Sequence, residues 1–162
     1  MRLQFLRRAV VAILVCALSA CAATGAVSRA AVAQQNTAVV LAFLDTVFNK
    51  HEVAHAFRLY VGASYRQHNP HVPDGVEGAV KALTHLTHDL YPELHLEVKH
   101  TVAQGDLVAV HSRYTDSVAS RDSGKGGRAV VDLFRLEHGR IVEHWDVVQD
   151  VPDTSANDNT MF

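Results

Sequence analysis

The run Ala129-Val130-Val131-Asp132-Leu133-Phe134-Arg135-Leu136, then His138-Gly139-Arg140, then Ile141-Val142-Glu143-His144-Trp145-Asp146-Val147-Val148, decides the fold. β-Branched and aromatic residues fill both outer segments, and a glycine-centred turn of a few residues separates them, which predicts two strands of a hairpin. Working upstream, Leu94, Leu96, Val98 and Val102 alternate with polar residues as in a half-buried strand. Gln104-Gly105-Asp106 is a turn, Leu107 to Thr115 a further strand, and Asp116 to Gly127 a polar Gly/Ser-rich loop. Before Leu94 the period changes. Val39, Val40, Phe43, Leu44, Val47 and Phe48 recur at helical spacing behind a candidate N-cap, Asn36. A short helix is expected over about Glu52 to Leu59, and a third after Asp74-Gly75, carrying Val76, Val80, Leu83, Leu86 and Leu90. Between them, Tyr65 to Pro73 holds two prolines and reads as extended and irregular. Helices first and hairpins after is an α+β pattern. The expected architecture is a curved antiparallel sheet wrapped by about three N-terminal helices, a conical barrel around a cavity.

The first residues read as an export signal. Arg2, Arg7 and Arg8 precede an apolar run from Ala9 to Leu18 and the small residues Ser19, Ala20 and Cys21. The run is about half the ~20 residues a bilayer-spanning helix needs. Leu18-Ser19-Ala20-Cys21 resembles the lipobox of bacterial lipoproteins, which implies lipidation at Cys21; an ordinary cut after Ala31-Val32-Ala33 also fits. The division expected is a signal over 1–21, a tether over 22–35 and a folded domain over 36–162. Its location would be outside the cytoplasm, periplasmic or lipid-anchored, otherwise secreted. Membrane contact would come only through that anchor.

Cys16 and Cys21 are the two cysteines, so a domain beginning later uses neither disulfides nor a thiol nucleophile. Removing the signal leaves twelve basic against seventeen acidic residues, a net charge of −5 with histidines neutral. Without a basic patch, nucleic acid is not an expected partner.

Alternation along strands puts Asp132 with Phe134, His144 with Asp146, and Ala109 with His111 and Arg113, each set sharing one face of its own strand. If those faces line the cavity, it holds His111, Asp132, His144 and Asp146, with His68 at its mouth. Such a set suits general acid–base work, because polar groups in an apolar cone are costly unless bonded or used. Other readings stay open. Asp132 and Arg135 can form a structural ion pair, His68 can cap the Asn69-Pro70 turn, and Tyr65 and Gln67 can line the pocket or pack beneath it. One register slip would exchange His144 for Trp145.

Eleven histidines raise the question of metal. His85 with His88, and His51 with His55, share helix faces but lack a third ligand in sequence, and solvated faces explain them more simply. There is no phosphate-binding glycine loop and no nucleophile elbow.

Three segments carry a family likeness: Tyr65-Arg66-Gln67-His68-Asn69-Pro70 before Asp74-Gly75, Val131-Asp132-Leu133-Phe134-Arg135, and Gly139 to Gln149. With the closing Asn159-Thr160-Met161-Phe162, they resemble the SnoaL-like polyketide cyclase branch of the nuclear transport factor 2-like superfamily. The resemblance implies a conical barrel, three helices and usually a homodimer. It leaves function open, since members include cyclases, isomerases, hydrolases, dehydratases and non-catalytic binding domains. In the cyclases an aspartate on the last strand does the acid–base work, and Asp146 matches it, with Trp145 beside it. The expected mechanism has Asp146, desolvated by Phe134 and Trp145, take a proton from carbon next to a carbonyl. A neutral His111 or a protonated Asp132 would then hydrogen-bond the enolate oxygen. His68, Tyr65, Gln67, Phe134 and Trp145 would hold a small hydrophobic substrate, with no cofactor and no metal. The alternative is a non-catalytic extracytoplasmic module for small-ligand binding or dimerisation.

Overall fold

A computed structural model describes residues 29–162. The expected signal, Cys21 and residues 22–28 of the expected tether lie outside the described residues. The first described element is helix α1, Arg29–Phe48. It is long and apolar enough by length and composition to cross a membrane, yet Val40, Phe43, Leu44 and Val47 on it are buried in a protein core. Residues 29–35 are helical, so Asn36 sits inside α1 and not at its cap. Its amide donates to the Gly105 carbonyl at 3.2 Å and pins the helix to a strand turn.

Helix α2 spans Val53–Tyr60 and buries Val53, Ala56 and Phe57, as their spacing predicts. The chain then enters strand β1, Val61–Gln67. Helix α3, Gly75–Thr84, follows and runs directly into a π-helical turn, His85–Leu90. Strands β2 (His95–Gln104), β3 (Leu107–Thr115), β4 (Arg128–Glu137) and β5 (Arg140–Asp150) complete the sheet. A short helix, α4, Val118–Ser123, interrupts the expected loop between β3 and β4. The Ser117 side chain caps it by accepting from the Ser120 N–H at 3.1 Å.

The sheet order is β1-β5-β4-β3-β2. Consecutive strands β2 to β5 pair antiparallel, but β1 pairs parallel with β5. The sheet is therefore mixed and open, and not wholly antiparallel as the sequence suggested. The segment read as irregular from Tyr65 holds the end of β1. A glycine at position 62 suits the tight approach there, since a Cβ would lie 3.1 Å from Val142.

Residues Ala33–Phe162 form one unit. Its core joins Val40, Phe43 and Leu44 of α1 to Phe57 of α2 and to Val108, Val110, Val130 and Phe134 of the sheet. Phe43 packs edge-on against both Phe57 and Phe134, at centroid distances of 5.4 and 5.9 Å. Burial of each such side chain contributes about 1.5–3 kcal/mol. The helices thus cover one face of the sheet, and the pocket opens within that covered side.

Candidate active site

Register settles which side chains meet. Across the three central strands, Val110, Asp132 and Asp146 stand opposite one another, and Phe134 stands opposite His144. Cross-strand partners share a face, so Asp132, Phe134, His144 and Asp146 all point toward the helices. They line a cavity of about 440 Å³ together with Tyr65, Gln67, Asn69 and Tyr114. Phe43, Leu44, Leu83, Leu86, Val130 and Val148 give the cavity its apolar walls. That volume is in the range of small-molecule sites.

Asp132 is 3% exposed and accepts from the Tyr114 hydroxyl at 3.3 Å. Its other oxygen, Oδ1, lies 3.0 Å from His144 Nε2. His144 Nδ1 lies 3.0 Å from Gln67 Oε1. The same Gln67 oxygen accepts from the His68 and Asn69 backbone N–H groups, both at 2.9 Å, while Gln67 Nε2 donates to the Tyr65 hydroxyl. Gln67 therefore presents a carbonyl to His144, so Nδ1 must carry a proton. A second proton must lie between Nε2 and Oδ1, because a bare imidazole nitrogen and a carboxylate oxygen would both be acceptors. The pair holds one transferable proton, buried and aimed along the pocket wall.

Asp146 stands next to this pair, and Asn69 Nδ2 donates to both of its oxygens at 2.9 and 2.7 Å. Asn69 is itself oriented, since its Oδ1 accepts from the His71 N–H at 2.8 Å. An amide aimed at both oxygens fits the carboxylate form, which only accepts. Burial raises the Tyr65 hydroxyl pKa well above its ordinary value, and the charges of Asp146 and Asp132 push the same way. Tyr114 is raised for the same leading cause, with Asp132 beside it. Both stay protonated. Tyr65 accepts from Gln67, which leaves its own O–H free to donate to a ligand oxygen.

Three of the expected site residues are elsewhere. His111 is on the opposite face of the sheet, where its ring stacks on His100 and on Phe162, each at 5.6 Å. Val108, Val110, Ser112 and Tyr114 take the inward positions of β3, because that parity carries the larger apolar side chains. Trp145 also faces outward, stacked on His68 at 4.7 Å with an interplanar angle of 7°. His68 Nε2 bonds Glu143 Oε1 at 2.9 Å, and Arg135 holds the other Glu143 oxygen at 2.8 Å. This outer cluster clamps the chain at His68 while its neighbours Gln67 and Asn69 reach inward. The Asp132–Arg135 pair does not form; Arg135 bonds Glu143 and Glu137 instead.

Asn69, Tyr114 and Arg128 were not singled out from sequence, although Asn69 stands inside a quoted motif. The spaced histidines are engaged locally: His85 with Asp89, and His88 with the His51 carbonyl. Among the described residues, the donors that converge are Asp132, His144 and Asp146, with ligand atoms within 4.8 Å of one another. A cation held on His144 Nε2 would displace that nitrogen's hydrogen bond to Asp132.

A family model for SnoaL-like polyketide cyclases matches residues 38–154. The chain belongs to the SnoaL-like polyketide cyclase family. Similar solved structures include a SnoaL-like protein of unknown function from Burkholderia thailandensis, 18% identical, TM-score 0.59, with 73% of this chain and 98% of that one covered. An NTF2-like protein of unknown function from Mesorhizobium loti is 22% identical, TM-score 0.56, covering 72% and 93%. A protein provisionally named a polyketide cyclase, from Acidithiobacillus ferrooxidans, is 17% identical, TM-score 0.58, covering 70% and 87%. At these identities the likeness is one of fold. A search of curated proteins finds no match.

Proposed function

We propose that this pocket carries out acid–base chemistry on a small hydrophobic carbonyl compound, of the aldol-cyclase or isomerase type. The observation that carries the reading is the proton count: an acceptor-only Asp146 beside an Asp132–His144 pair that must hold a proton. Asp146 would take a proton from the carbon next to the carbonyl, leaving the electron pair in the enolate. The enolate oxygen would then accept from the free Tyr65 hydroxyl or from the His144 side, and the apolar walls would exclude water. Such general acid and base groups each contribute roughly 10²–10⁴-fold to rate.

One observation favours a binding module instead. Every polar atom of the Asp132–His144 pair already has a partner, as in a purely structural network. Exchange of the hydrogens next to the carbonyl of an apolar ketone such as 2-decanone, followed in D2O by mass spectrometry, separates the two. The enzyme reading expects acceleration by the wild type and its loss in Asp146→Asn. Full activity in Asp146→Asn would remove that residue from the role, and no acceleration by the wild type would favour the module.

A further inference from the structure

The cavity has a second polar end. Arg128 is the only lysine or arginine lining it among the described residues. It is four residues from Asp132 on β4 and on the same face, a separation of about 13 Å along the strand. Val130 and its cross-strand partner Val148 lie between the two, so an apolar floor joins them. The guanidinium is held in place from two sides. Its Cζ lies 4.9 Å from the centre of the Tyr91 ring, and one nitrogen, Nη2, bonds the Asp116 carboxylate. Its remaining donors have no hydrogen-bond partner among the described residues. A guanidinium fork is shaped for bidentate contact with a carboxylate. The acids lining the cavity, Asp132 and Asp146, are both at its other end.

We infer that the ligand is an apolar carboxylic acid whose acid group sits on Arg128 and whose far end, bearing the carbonyl, reaches Asp146. The inference rests on the pocket being a small-molecule site, as proposed above, and adds the ligand's charge and its direction of binding. Arg128 is the specificity-determining residue, and Asp116 is a competitor for the same guanidinium.

The test is binding, measured by calorimetry with decanoate, methyl decanoate and decanol. The wild type should bind decanoate about tenfold or more tighter than the ester, the size of a charged hydrogen bond. Arg128→Gln should erase that preference and keep the ester's affinity, which also shows that the variant is folded. Arg128→Lys should retain part of it. Asp116→Asn keeps an acceptor but removes the competing charge, so decanoate should bind more tightly there. Equal binding of acid and ester by the wild type, or a preference that survives Arg128→Gln, would overturn the inference and leave the pocket reading standing. If none of the three compounds bound, both would fall.

Discussion

Replacing Asp132 separates two accounts of the polar pair. In Asp132→Ala the buried Tyr114 hydroxyl loses its acceptor at 3.3 Å and His144 Nε2 its partner at 3.0 Å. Each abandoned buried group costs about 1–3 kcal/mol. Removal of one member of a buried charged pair typically costs about 3–5 kcal/mol in total. For a domain of this size that lowers the melting temperature by about 10–20 °C. Asp132→Asn is a different perturbation. Its carbonyl can still accept from Tyr114, and its amide can donate to Nε2, with the ring proton on Nδ1 toward Gln67. Stability should then stay within about 1 kcal/mol of the wild type, while the transferable proton is gone. Thermal unfolding by circular dichroism gives both numbers. If Asp132→Ala cost less than about 1 kcal/mol, or Asn were as damaging as Ala, the proton between Asp132 and His144 would not be where the hydrogen-bond directions put it.

Two further outcomes follow from the surroundings of the site. The His68 hydrogen bond, with Arg135 next, holds the Glu143 carboxyl below its ordinary value of 4.5. A depressed folded-state value means stabilisation that is present at neutral pH and lost as pH falls below that value. Glu143→Gln should therefore lower the urea midpoint at neutral pH, with the gap to the wild type closing in acid; a gap constant with pH would contradict this. Gly127 has φ +84°, and a Cβ there would overlap the Tyr114 carbonyl. Gly127→Ala should cost at least about 1–3 kcal/mol from backbone conformation alone, read by urea unfolding, and an unchanged midpoint would refute it.

The hairpin of β4 and β5 was legible because both strands alternate around a short glycine turn, but its register was not. The pairs beside the turn, Glu137 with Arg140 and Leu136 with Ile141, would set Trp145 opposite Asp132, and a bulge between Arg135 and Leu136 shifts the pairing by one residue. That bulge is what puts His144 and Asp146 on the wall with Asp132 and Phe134, an assignment the sequence had left open against a one-residue slip. β3 misled because both of its faces are of mixed polarity. The parity with His111 offered attractive chemistry, whereas the parity with Val108, Val110 and Tyr114 offers more apolar surface to bury. β1 was hidden for another reason. Its Gly62-Ala63-Ser64 run has weak strand preference, and its partner β5 is distant in sequence. Since β1 delivers Tyr65, Gln67 and then Asn69 to the pocket, the roles of Gln67 and Asn69 were beyond periodicity. Arg128 and Asp116 flank a loop, and only the folded chain brings that guanidinium to the cavity end.

The measurement that bears most directly on catalysis is the stereochemistry of hydrogen exchange. The two hydrogens on carbon 3 of 2-decanone are equivalent to buffer but not to a fixed base. With Asp146 clamped by Asn69 on one side of the pocket, the wild type should exchange one of them in preference to the other, and Asp146→Asn should lose the preference together with the rate. Equal exchange of both hydrogens at the uncatalysed rate by the wild type would contradict the account.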